Sequence, residues 1–310
     1  MDRYVSVIIP TYGGNESLKR AIDSVLRQDY RFFEIVVVDD NNPDTKQRTV
    51  TENIMAEYSD DNRLRYIQHD RNKNGSAARN TGAREAKGEY LTFLDDDDIF
   101  LQGKLRKQVD LLDASTEFDA VYCWRRESDK IISSRLQGDL SEALLDLSFT
   151  PCTPSLMLRK ECYFEINGFD ETYYRHQDFE FLLRFFEKHK IGVVPEALIE
   201  IIGNNVDNQP RGERAVNLKK KYLETFLPNI NRIDKQKRGF RKYVYAKHYA
   251  ALMIKLLRYG DVKLAFKTYV SDAYKGGILF WKEFFIQLKL VVCKKVYRLF
   301  RKNEEKRDEE

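Results

Sequence analysis

The chain has 310 residues, 42% of them hydrophobic, enough apolar material to bury a full core and leave a second, smaller module. Its four cysteines, Cys123, Cys152, Cys162 and Cys293, have no C-x-x-C spacing and no signal-peptide pattern opens the sequence; the expectation is reduced thiols in a cytoplasmic protein, without a disulfide framework or zinc cluster. The net charge of +4 conceals an asymmetry: residues 1–210 carry 27 Lys+Arg and 38 Asp+Glu, whereas the rest carry 26 and 11, so the C-terminal part calls for an anionic partner.

In chain order, Val5-Ser6-Val7-Ile8-Ile9 reads as a first strand ended by Pro10. Leu18, Ala21, Ile22, Val25 and Leu26 then recur at helical spacing, with Asn15 placed to cap the start. A second strand runs from Phe33 to Val38 and stops at Asp39-Asp40-Asn41-Asn42-Pro43, which is turn chemistry. A third strand near Leu64 to Gln68, a helix from about Ala77 to Lys87 and the apolar run Tyr90-Leu91-Thr92-Phe93-Leu94 follow. This alternation predicts an α/β domain with a mostly parallel sheet flanked by helices. In such sheets ligands bind beyond the carboxyl ends of the strands, where Thr11, Asp40 and the run Asp95 to Asp98 would meet.

Four adjacent carboxylates repel one another and raise each other's pKa, a strain most simply relieved by a divalent cation with a preference for oxygen ligands. A dinucleotide site is not supported, because the turn Pro10-Thr11-Tyr12-Gly13-Gly14-Asn15 lacks G-x-G-x-x-G, and no Walker-type phosphate loop occurs.

Four motifs in order carry a resemblance over roughly residues 3 to 205. They are Val5 to Tyr12, Val36-Val37-Val38-Asp39-Asp40, Gly75-Ser76-Ala77-Ala78-Arg79-Asn80-Thr81-Gly82, and Gly88 to Asp98. Together they resemble a family 2 glycosyltransferase of the GT-A fold, which is Rossmann-like. The resemblance implies a catalytic domain over 1–212, followed by a basic helical region over 213–310.

It also implies roles. Pro10, Thr11, Tyr12 and Asp40 would form the pocket for the donor's nucleobase, Arg79 would meet the donor or a neighbouring carboxylate, and Asp96 would lie nearest the ribose. Asp95 and Asp97 would be the DxD pair that holds Mn or Mg, although four aspartates in a row leave the register open. Members of this type invert the anomeric carbon, with a carboxylate as general base in a Glu-Asp pair after a Gly-Phe-Asp-Glu stretch. That stretch stands here as Gly168-Phe169-Asp170-Glu171, and Asp178 is the expected base, with Gln177 in place of the glutamate. Phe181, Leu182 and Phe185 would anchor the helix after it, and the helix N-terminus would lower the Asp178 pKa. His176 offers a further ligand or a proton relay, although a histidine near a turn is more often a surface residue, and His69, His189 and His248 read as structural. The family's histidine near the end of the domain is absent; Asn204 or Asn205 would substitute, or a loop near Arg211 and Arg214 would close over the donor.

The last hundred residues read as helical. From Ile278 to Phe300, apolar positions including Trp281, Phe285 and Leu288 recur at helical spacing among lysines and Arg298, and six charged residues argue against a spanning helix. This amphipathic helix either docks on an anionic membrane surface or packs on protein, including another copy of the chain; the stretch after it, of mixed charge, reads as disordered. The expected activity is transfer of a sugar from a nucleotide-sugar, UDP-sugar favoured, to a glycan or lipid-linked acceptor in surface polysaccharide assembly. The location is cytoplasmic, peripheral on the inner face of the cell membrane if the helix docks there. A nucleotidyltransferase is the enzymatic alternative, weakened by the absence of a Gly-rich, Lys-bearing first turn; a noncatalytic membrane-binding module is the other. No nucleic-acid motif is present.

Overall fold

The computed structural model describes residues 3–14, 16–173, 175–202 and 210–289. They divide into two compact units, one of residues 1–144 and 149–204, the other of 145–148 and 205–310.

The first unit alternates strands and helices: β1 (Val5–Thr11), α1 (Ser17–Leu26), β2 (Phe33–Asp39), α2 (Lys46–Ala56), β3 (Leu64–Gln68), α3 (Gly75–Glu85) and β4 (Tyr90–Phe93). Then come β5 (Ile99–Phe100), α4 (Lys104–Ala114), β6 (Ala120–Glu127), β7 (Lys130–Ile132), α5 (Ser141–Leu145), β8 (Leu156–Arg159), α6 (Lys160–Glu165), α7 (Gln177–Phe185) and β9 (Ile191–Ile201). One sheet runs β3-β2-β1-β4-β8-β6-β9-β5, with β7 paired to β6. The β3-β2-β1-β4 half is parallel throughout, whereas β8 is antiparallel to both β4 and β6.

Strands covered on both faces need apolar residues at every position, which is why β1 and β2 read as unbroken runs. On one face Val5, Val7, Ile9, Ile35 and Val37 share a core with Leu18, Ala21, Ile22 and Val25 of α1. On the other, Val36 and Val38 pack with Ala78 of α3. A Cβ on Gly82 would stand 2.4 Å from Ile8 Cγ2, so the glycine lets α3 lie close against β1. Pro10 does not end the first strand: it pairs with Val38, and Thr11 with Asp39. Ile8 bonds toward β4, whose ladder has ended by Leu94, so the missing N–H of Pro10 falls where no ladder partner stands.

Helix starts differ from the sequence reading by one or two residues. Asn15 lies outside the described residues, and Glu16 occupies the cap position of α1 without a side-chain bond. Asn74 caps α3, its side chain accepting from the Ala77 N–H at 3.1 Å, so this helix begins two residues earlier than expected.

The second unit is helical, with α8 (Gly212–Thr225), α9 (Leu227–Gln236), α10 (Phe240–Arg258), α11 (Val262–Ser271) and a helix α12 over 278–289. Pro228 sits in the first turn of α9, where no N–H is required. Inside α10, His248 is fully buried; its Nε2 lies 2.7 Å from the Leu145 carbonyl. The expected helix beyond 289, and Cys293 with it, lies outside the described residues; Cys123, Cys152 and Cys162 are free thiols.

Candidate active site

The carboxyl ends of β1, β2 and β4 and the start of α3 enclose a pocket of about 240 Å³, lined by Pro10 to Tyr12, Asp40, Arg79 and Asp95 to Asp97. Parallel strands all finish on this edge, so three separate loops bring their polar side chains together. Thr11 Oγ1 donates to Asp96 Oδ2 at 2.6 Å and the Tyr12 N–H reaches the same oxygen at 3.3 Å, tying the end of β1 to the acidic run. The Tyr12 side chain is 65% exposed, leaving its ring available to cover a flat ligand.

The four aspartates separate by role. Asp98 is buried, and its Oδ1 accepts from the Ile202 N–H at 3.0 Å, which anchors the loop to the end of β9. Asp95 is paired with Arg79 at 2.6 Å. Burial, with Asp97 and Asp95 adding their charge, pushes the Asp96 carboxyl up to about 6 against the hydrogen bonds from Thr11 and Tyr12. Burial and Asp95 raise Asp97 as well, with Arg20 opposing. Asp95, Asp96 and Asp97 all line the pocket and offer oxygen donors of the kind that suit Mg or Mn, but the three do not converge as one ligand group in this structure.

Asp40 lines the pocket, but its carboxylate is heavily committed. Oδ1 accepts from Lys73 N–H at 2.8 Å and lies 2.7 Å from His69 Nδ1; Oδ2 accepts from Asn72 Nδ2 at 2.9 Å and Asn74 N–H at 2.8 Å. A carboxylate has about four acceptor positions, so these bonds occupy it and fold the 69–74 loop around it. Any ring N–H of a ligand would share an oxygen already in use. Asp39 points inward, accepting from Tyr66 Oη at 2.6 Å and standing 3.3 Å from Arg48 Nε.

Arg79 joins the acidic run to Gln177, the residue before the proposed base. One guanidinium nitrogen donates to Asp95, the other to Gln177 Oε1 at 3.0 Å, and the group lies 5.5 Å over the Phe169 ring. Gln177 donates in turn to the Tyr173 carbonyl at 2.8 Å. Asp178 stands in the first turn of α7, accepting from the Phe179 N–H at 3.0 Å. Its pKa corrects the sequence expectation: burial outweighs the helix end and Arg79, and pushes the carboxyl up to about 6. The group is still mostly ionised at neutral pH, and its affinity for a proton suits a base better than a depressed pKa would. Phe181, Leu182 and Phe185 are buried as expected and hold α7 in place.

Sequence reasoning missed Asn80. Its Nδ2 donates to the Phe169 carbonyl at 2.8 Å and to Glu171 Oε1 at 2.9 Å, while Oδ1 accepts from Phe169 N–H at 2.9 Å and Tyr163 Oη at 2.5 Å. This residue clamps the 168–171 turn to α3, the helix that carries Arg79. Its place between Arg79 and Thr81 in the third motif was the available signal. Asn204 and Asn205 lie outside the described residues.

A different cluster sits at the opposite edge of the sheet, before β6 and β9. Asp119, Cys162 and His189 offer ligand-type atoms within 4.8 Å of one another. His189 Nδ1 is 3.0 Å from Asp119 and Nε2 is 3.2 Å from Glu165. Burial and Asp119 push the Cys162 thiol up to about 12, so it is protonated at neutral pH, and the group reads as a histidine held between carboxylates.

Residues 6–161 match the family model described as glycosyl transferase family 2. An uncharacterized glycosyltransferase of Rickettsia prowazekii is 31% identical over 212 residues, 63% of this chain and 63% of that protein. The chain thus spans less than two thirds of that relative's length. The amylovoran biosynthesis glycosyltransferase AmsB of Erwinia amylovora is 26% identical over 246 residues, 74% of this chain and 79% of that one. In three dimensions, S. aureus TarS 1–349 in complex with UDP-GlcNAc superposes with a TM-score of 0.57 at 18% identity, covering 86% of this chain and 91% of that one. The mannosyltransferase PcManGT from Pyrobaculum calidifontis, in complex with GDP-Man and Mn2+, gives 0.57 at 17%, covering 94% and 86%. These superpositions establish the fold.

Proposed function

Because the chain belongs to glycosyl transferase family 2, we propose that it transfers a sugar from a nucleotide-sugar, with UDP as the favoured nucleotide, to a glycan or lipid-linked acceptor. One observation carries the reading: Arg79 bridges Asp95 of the pocket to Gln177, the neighbour of Asp178, so donor pocket and base form one connected constellation. An acidic loop alone has no use for that connection.

In this reading the Pro10 to Tyr12 turn receives the nucleobase, with Tyr12 against its face and Asp40 setting the loop that walls it. Asp96 lies nearest the ribose. Asp95 and Asp97 would hold Mn or Mg, which when bound neutralises the charge that builds on the departing diphosphate. Asp178 takes the proton of the acceptor hydroxyl as that oxygen attacks the anomeric carbon from the face opposite the diphosphate, which inverts the configuration. Arg79 remains hydrogen-bonded to Asp95 and Gln177 and keeps positive charge beside the carboxylates of Asp95 and Asp178. A place in polysaccharide assembly draws support from AmsB, whose name assigns it to amylovoran biosynthesis.

Melting temperature measured against UDP-, GDP- and dTDP-sugars, with and without Mn, tests the reading, since a ligand of the native state raises it according to its concentration over Kd. A shift with one nucleotide class that requires the metal is expected. Absence of any shift across the panel would reject the donor pocket.

A further inference from the structure

The C-terminal unit carries an apolar surface that its own core does not use. On α11, Val262, Phe266 and Val270 follow one another at intervals of four, so they share one side of the helix, and they are 59%, 70% and 57% exposed. The inward side of that helix is already filled by Ala265 and Thr268, which are buried. On the neighbouring α12, Ile278, Trp281 and Phe285 are 85%, 43% and 61% exposed, while Phe280 is fully buried. Tyr269 of α11 meets the Trp281 ring at 5.3 Å, so α11 and α12 lie side by side, and within α12 Trp281 meets Phe285 at 6.3 Å.

Cations edge this surface. Lys263 and Lys267 lie on α11 next to the apolar row, and Lys282 and Lys289 alternate with the aromatic residues of α12; all are exposed. Asp261, Asp272 and Glu283 are the acidic groups nearest in sequence, Asp261 directly preceding Val262, and Lys267 has a loose partner in Glu213 at 3.7 Å. Large exposed aromatic and aliphatic side chains fringed by lysine match an anionic bilayer surface, where rings enter the acyl boundary and ammonium groups meet lipid phosphates. Among the described residues no helix is long and apolar enough to cross a membrane, which fits a helix pair lying along the interface.

We infer that the C-terminal unit docks on an anionic phospholipid surface through the α11 row Val262, Phe266 and Val270 together with Trp281 and Phe285 of α12. The docking is independent of the donor reading, because no residue of the nucleotide pocket takes part.

Flotation of the full-length protein with vesicles of phosphatidylcholine, with and without phosphatidylglycerol, tests it, with tryptophan emission followed in parallel. Binding to the phosphatidylglycerol vesicles, a blue shift absent from the Trp281→Ala variant, and weakening by salt are expected. Phe266→Glu combined with Val270→Glu should lower partitioning at least about tenfold, and Lys263→Glu with Lys267→Glu should weaken it while leaving the melting temperature unchanged. Phe266→Ser with Val270→Ser is the milder pair, should the double glutamate variant fail to fold. Failure to bind either vesicle, or binding indifferent to both the glutamate and serine pairs, would overturn the proposal. So would a stable dimer in solution that the serine pair disperses and that shows no vesicle binding, since a second copy would then cover the face. Nucleotide-induced stabilisation measured on the same variants separates loss of docking from loss of the donor site.

Discussion

Asp178 is the base of the proposed mechanism, and its surroundings bear on two separable properties. As the proton acceptor it is lost in Asp178→Asn, which should retain donor affinity while transfer falls by roughly 10²–10⁴-fold. A variant that turns over normally would remove the assignment. A carboxyl whose folded pKa is raised to about 6 favours its protonated form in the folded state. Its contribution to stability is therefore full below the unfolded value and is lost as pH rises through about 6. Asp178→Asn should accordingly be more stable than the parent at pH 8, by roughly 1–2 kcal/mol after allowance for partial exposure, and the gain should vanish near pH 4. The transfer rate of the parent should climb with pH to about 6 and then level. Gln177 tests the same electrostatics from outside: Gln177→Glu places a second negative charge beside Asp178 and gives Arg79 a competing partner, so the acidic limb should move to higher pH. An unmoved limb would mean that Gln177 and Asp178 are not coupled. The direction of the Asp178 shift was not legible in the sequence, because helix position is visible there and burial is not. Asp40 was legible as a strand-end carboxylate; the donors that occupy it were not, since His69, Asn72 and Asn74 sit in a loop without periodicity.

Among the elements, α3 carries the most. It lies against β1 through Gly82, presents Arg79 to the pocket and holds the 168–171 turn through Asn80. Asn80→Ala would strand a buried Phe169 N–H and carbonyl and should cost about 2–3 kcal/mol in denaturant unfolding. Transfer should fall more than donor affinity, because the turn leads into α7 and its base. An equal loss in both would place the effect on the pocket itself. β1 and β2 were readable because burial on two faces demands unbroken apolar runs, and β3, a half-buried edge strand, was bounded as expected at Leu64 to Gln68. In the other half, β5 has two residues and β8 four, too short for a period to register, and their partners are distant in sequence; the longer β6 and β9 were not read either. The acidic run was found at once, yet the separation of Asp98 from the other three needed its bond to Ile202, a contact across 104 positions.

At the level of the whole molecule, the charge asymmetry visible in composition coincides with two units of different construction, an acidic α/β unit and a basic helical one. Fold and family were legible because four motifs recur in order at strand ends, positions that the backbone geometry fixes; donor identity was not, because the pocket walls come from loops. In the proposed mechanism Asp95 to Asp97 and the Pro10 to Tyr12 turn form a metal-dependent donor site served by a separate base. Calorimetric titration of the UDP-sugar selected by the melting panel, with and without Mn, into the parent, Asp97→Ala and Asp178→Asn proteins tests it most directly. Metal-dependent binding by the parent, its loss in Asp97→Ala and its retention in Asp178→Asn are expected. Undiminished, metal-dependent affinity in Asp97→Ala, or no binding by the parent with metal present, would contradict it.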